Sequence, residues 1–134
     1  MRHVRERALT VGVCLAAIVL AGSQGLAQAG SADAGMDAFY AGTLQIEVPS
    51  TYDPYFAQRQ FSADHTYVDL EDGKLFHGTW AIKDGKICTS REGGGKTFCN
   101  VGVGHKVGED WADKDPYTGN EVDFTLVAER KPLG

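Results

Sequence analysis

The stretch Lys86-Ile87-Cys88-Thr89-Ser90-Arg91-Glu92-Gly93-Gly94-Gly95-Lys96-Thr97-Phe98-Cys99-Asn100-Val101-Gly102-Val103 decides the fold. Two short runs, Lys86 to Ser90 and Thr97 to Val103, flank a glycine cluster, and Cys88 and Cys99 stand symmetrically about the point between Gly93 and Gly94. Glycine adopts positive φ without steric cost, so Glu92 to Gly95 supplies a tight reversal. An antiparallel register then sets the two cysteines opposite each other. Opposed Cα atoms lie about 4.5 to 5.5 Å apart, within the span of a disulfide.

Working outward, short alternating runs are separated by turn signals, and no amphipathic helix is read after residue 40. Ala41 to Val48 alternates Leu44, Ile46 and Val48 with polar residues, and Phe56 to Phe61 follows a Tyr52-Asp53-Pro54-Tyr55 turn. His65 to Leu70 is read with Val68 and Leu70 toward the core and His65, Tyr67 and Asp69 toward solvent. Glu71-Asp72-Gly73-Lys74 is a reverse turn into Leu75 to Ile82, where Phe76, Gly78, Trp80 and Ile82 share the core face. Lys106 to Ala112 and Glu121 to Glu129 complete the series, the last carrying Val122, Phe124 and Leu126 in phase.

About eight strands with reversals roughly every ten residues specify an all-β, antiparallel up-and-down barrel. Closure pairs the first strand with the last and removes exposed edges. An immunoglobulin-like sandwich is the alternative, and it requires longer crossing connections than these turns supply.

Arg2, Arg5 and Arg7 precede an apolar run from Ala8 to Gly22, and Ala27-Gln28-Ala29 forms a small-x-small cleavage pattern. This is the layout of a secretory signal peptide cut after Ala29, too short in its apolar part for a membrane anchor. The expected organisation is a leader at 1–29, a linker at 30–40, one barrel domain at 41–130 and a tail at 131–134, in a periplasmic or secreted protein. The leader takes Cys14 with it, leaving Cys88 and Cys99 in an oxidising compartment, where they are expected to bond. Two thiols without a neighbouring His pair fall short of a zinc set.

The leader also holds three of the 13 Lys and Arg and one of the 18 Asp and Glu, so 10 basic and 17 acidic residues remain and the net charge is −7. Phosphate recognition is built from clustered Lys and Arg, so this balance argues against nucleic acid and anionic membrane surfaces. No cofactor fingerprint is present: Gly102, Gly104 and Gly108 are too irregular for a dinucleotide or phosphate loop.

The ordered series Phe61-Ser62-Ala63-Asp64-His65-Thr66-Tyr67, Gly78-Thr79-Trp80-Ala81-Ile82 and Asp84-Gly85-Lys86-Ile87-Cys88, followed by Cys99, resembles a group of small exported lipocalin-like proteins from proteobacteria. The resemblance spans roughly residues 56 to 111. It implies a barrel and a disulfide and carries no catalytic residue with it.

Three functions fit these features. A binding barrel would hold a small apolar ligand in a lumen lined by Phe76, Trp80 and Phe124. An interaction module, such as an inhibitor of a secreted enzyme, would present the acidic segment Trp111 to Tyr117 to a basic protein. A barrel enzyme would use His65, Asp69 and His77 for acid and base chemistry, provided they converge. His65, His77 and His105 form no metal spacing, and Asp113-Lys114-Asp115 with Gly119 and Glu121 departs from a calcium loop.

The disulfide reading predicts that Cys99→Ser removes about 2–3 kcal/mol of stability by the chain-entropy estimate. Thermal unfolding of the oxidised protein should fall by about 10 °C; an unchanged melt means the cysteines are not bonded.

Overall fold

The computed structural model describes residues 33–134, so the proposed leader and its cleavage point lie outside the described residues. Turn chemistry and alternation produce eight strands: β1 (Thr43–Val48), β2 (Tyr55–Phe61), β3 (Thr66–Glu71), β4 (Lys74–Lys83), β5 (Lys86–Arg91), β6 (Phe98–Gly102), β7 (Asp110–Lys114) and β8 (Glu121–Val127). They form one antiparallel sheet in the order β6-β5-β4-β3-β2-β1-β8-β7. The first and last strands pair, with Ile46 opposite Phe124, and the sheet curls into a nearly closed barrel. Among the described residues no helix is long and apolar enough to cross a membrane.

The disulfide joins Cys88 and Cys99 across β5 and β6, their Cα atoms 4.0 Å apart. Gly93, Gly94 and Gly95 all take positive φ in the reversal. The register shifts by one residue between Ile87 and Cys88, so Ile87 faces Val101 and the β6 strand is bulged beside the disulfide.

The expected barrel forms with its first-to-last pairing and departs from full closure at one place. β6 and β7 occupy the two ends of the strand order and form a seam, although they are consecutive in the chain. The connecting loop spends its backbone groups elsewhere: Gly104 N–H donates to Gly35 O, and Gly108 N–H donates to Leu126 O. At one end of the seam the Tyr117 hydroxyl donates to Thr97 O at 2.6 Å.

The second departure concerns the segment expected as a linker. Residues Asp37–Ala41 form a short helix, α1, that packs on one end of the barrel and buries Met36 and Phe39. Phe39 meets Phe61 edge-on with ring centroids 5.7 Å apart and Trp111 at 6.4 Å, while Tyr40 leans on Trp80. The helix has too few residues to be stable alone, so this packing is what holds it. Arg130, just beyond β8, donates from its guanidinium to the carbonyls of Phe39, Gly42 and Phe61. It thereby supplies the positive charge favoured at a helix C-terminus.

The face reading of β3 is also corrected. The Asp72-Gly73 turn, with φ of 47° and 74°, fixes Glu71 opposite Lys74 and hence Asp69 opposite Phe76 and Tyr67 opposite Gly78. Phe76, Gly78 and Trp80 face inward as expected, so Tyr67 and Asp69 must do so too. Val68 and Leu70 are carried to the outer face, where the C-terminal Pro132 and Leu133 border the same shallow surface groove as Leu70. Turn geometry outweighs the apolar character of two residues because a one-residue slip would reverse every side chain of the strand.

Phe39→Ala should cost about 3–5 kcal/mol, the range for removing a buried aromatic ring. A denaturation midpoint within error of the parent protein would mean that α1 does not seal the barrel.

Candidate functional site

The two ends of the barrel are built differently. At the α1 end, Phe39, Phe61, Trp80, Trp111 and Phe124 make a continuous aromatic floor. At the other end, the loops after β1, β3, β5 and β7 surround a mouth. Beneath it lies an open cavity of about 510 Å³.

One wall of the cavity is apolar. Ile46 and Val48 from β1 and Val122 and Phe124 from β8 line it, because alternation on both strands directs these positions inward. The facing wall is polar and comes from β2, β3 and β5: Tyr55, Arg59, Tyr67, Glu71, Thr89 and Arg91. Lys96, Phe98, Asn100 and Asp115 complete the rim.

The polar wall is organised around Asp69, which is 0% exposed. Arg59 grips it with two bonds, Nε to Oδ1 at 2.6 Å and Nη2 to Oδ2 at 2.7 Å, and donates from Nη1 to the Thr89 hydroxyl at 3.3 Å. Such a planar fork matches a carboxylate and is stronger than neutral hydrogen bonds. Arg91 then links this pair to the mouth, reaching Asp69 Oδ2 at 3.5 Å and pairing closely with Glu71.

Aromatic rings set the guanidinium planes. Arg59 lies 4.6 Å from the centroid of Tyr67, and Arg91 lies 4.0 Å from that of Phe76. Tyr67 lies flat only because its partner is Gly78: a Cβ there would approach the Tyr67 ring to 2.5 Å and the Ser90 carbonyl to 2.3 Å. Gly78, Tyr67, Arg59 and Asp69 are therefore one stacked unit.

Burial alone would pull the Arg59 guanidinium below its ordinary pKa, but the hydrogen bonds and charge of Asp69, with Tyr67 and Tyr55, outweigh it and the net direction is upward. Burial, then the hydrogen bond and charge of Glu71, push the Tyr55 phenol well above its usual value. Both groups hold their ordinary protonation states throughout the neutral range.

The sequence-derived site residues separate in space. Asp69 is inside the barrel. His65 is in the β2–β3 turn at φ 68°, stacked on Trp80 with centroids 4.3 Å apart and 3.0 Å from Asp33 Oδ1. His77 is exposed on the outer face, opposite Val68. The geometric condition for acid and base chemistry by these three is thus not met. His105 stacks on Trp111 at 3.6 Å and contacts Glu109 through Nδ1 at 2.8 Å, and no cluster of metal-binding side chains occurs among the described residues.

Of the three expected lumen residues, Phe124 lines the cavity. Trp80 belongs to the floor, its indole N–H donating to Ser62 O at 3.0 Å, and Phe76 is half-buried beneath Arg91. The acidic segment Trp111 to Tyr117 is mostly strand. Trp111 is stacked on Phe124, and Asp115 accepts the backbone N–H groups of Tyr117 and Thr118.

Arg59, Glu71 and Arg91 were outside the sequence-based set. A partial signal was available for the central pair: Arg59 alternates with Ala57 and Phe61 on its strand, and Asp69 with Tyr67 on the next. No protein family model, curated protein or solved structure matches this chain.

Asp69→Asn should lower stability by about 3 kcal/mol because it leaves Arg59 charged and uncompensated inside the barrel. The double variant Arg59→Met/Asp69→Leu should recover most of that loss in chemical denaturation. A double variant that loses the sum of the two single changes would show that the pair is not coupled.

Proposed function

We propose that this protein is an exported binding barrel that holds a small amphipathic molecule in its open cavity. The observation that carries this reading is the asymmetry of the barrel: a helix and aromatic floor seal one end, while about 510 Å³ opens at the other. That volume lies within the range of small-molecule pockets, which combine apolar walls with a few placed polar groups. The disulfide between Cys88 and Cys99 is compatible with export. The ligand expected from a lumen lined by Phe76, Trp80 and Phe124 is a small apolar one; the polar wall of Arg59, Glu71 and Arg91 favours an amphipathic one.

The first test uses the fluorescent dye 1-anilinonaphthalene-8-sulfonate. Saturable binding of one dye per chain is expected, and Val48→Trp, which fills the apolar wall near the mouth, should weaken it at least about tenfold with an unchanged melt, equivalent to about 1.4 kcal/mol. Dye binding that is absent, or insensitive to Val48→Trp, overturns the proposal.

A further inference from the structure

The hydrogen-bonding capacity of the cavity is unevenly committed. Its two inner carboxylates, Asp69 and Glu71, are already paired with arginines. Both Asp69 oxygens take bonds from Arg59, and Oδ2 also faces Arg91. Glu71 is paired with Arg91. Asp115 uses Oδ1 to cap two backbone N–H groups of its own turn.

The donors are not exhausted. An arginine carries five N–H groups and no acceptor. The carboxylate partners of Arg91 engage only its Nη2, and the side chain retains 36% exposure at the cavity. Lys96, on the loop after β5, lines the same cavity and pairs with no carboxylate among the described residues. Its ammonium stands 4.5 Å from the centroid of Tyr117, which also packs edge-on against Phe98. Two cations with unspent donors therefore sit on the rim, across from an apolar wall.

We infer that the occupant is a small apolar molecule with a single oxyanion head, its body along Ile46, Val48, Val122 and Phe124 and its head on Arg91 and Lys96. A neutral molecule would gain the same apolar burial but leave the donors to water. A cation would meet Arg91 and Lys96 at the entrance and find both inner carboxylates already paired. This inference rests on the binding-barrel proposal and adds the chemical class of the ligand.

The head can be a carboxylate or a sulfonate, and three ten-carbon probes separate the possibilities: decanoate, decane-1-sulfonate and decan-1-ol, each titrated by displacement of the naphthalene dye. At least one anion should bind about tenfold or more tighter than the alcohol, as expected for charge-assisted hydrogen bonds. The tighter of the two anions assigns the head. Lys96→Met should weaken the anion on the order of tenfold and leave the alcohol unchanged. The paired variant Arg91→Gln/Glu71→Gln, which removes both charges together and so strands neither, should do the same with a preserved melt.

Equal affinities for the anions and the alcohol, or anion binding indifferent to both variants, overturn the inference. If Val48→Trp still blocks the probes in that case, the cavity remains the binding site and only the head assignment fails. If Val48→Trp blocks none of them, the binding-barrel proposal fails as well.

Discussion

A carboxylate without contact to water, Asp69, lies inside an eight-stranded barrel, and the two hydrogen bonds donated by Arg59 make that position tenable. An unpaired charge at such a site would cost several kcal/mol, so the strand carrying Asp69 can face inward only while Arg59 is present on its neighbour. The consequence extends beyond the pair. Arg59 brings Tyr67 beneath it, Tyr67 requires Gly78, and Asp69 holds Arg91 toward the mouth. One wall of the cavity is thereby polar, hydrogen-bonded and held in place by its own contacts.

The opposite end depends on ordinary apolar burial. Phe39, from a helix of five residues, and Met36 just before it close that end, and Arg130 donates to carbonyls at the C-terminal end of the helix. The dry floor and the wet cup divide the barrel across its middle. Filling of one end by aromatic rings allows the other to stay open without loss of the core.

The seam between β6 and β7 lies beside the cavity, and its mouth side is bridged by side chains in place of backbone ladder bonds. β6 is joined to the sheet only through β5, with the disulfide as its covalent tie. That tie positions Phe98 and Asn100 on the rim. An edge strand that forms part of a cavity wall needs such an anchor, since it lacks a second neighbour.

What the amino-acid order determined by itself was local. The glycine cluster and symmetric cysteines specified the hairpin, turn residues placed the reversals, and alternation in Leu44 to Val48 and Val122 to Leu126 marked the inner faces of two strands. Those features depend on steric rules that act within a few residues. Which face of β3 points inward, that Met36 and Phe39 form a plug, and where the barrel opens were decided only in three dimensions. Val68 and Leu70 read as core because apolar residues favour burial, but the Asp72-Gly73 register fixed Asp69 inside, and its partner Arg59 comes from a different strand. The cavity likewise joins residues from β1 to β8, and its surplus of donors follows from which carboxylates are already spoken for, a property of contacts that no single segment contains.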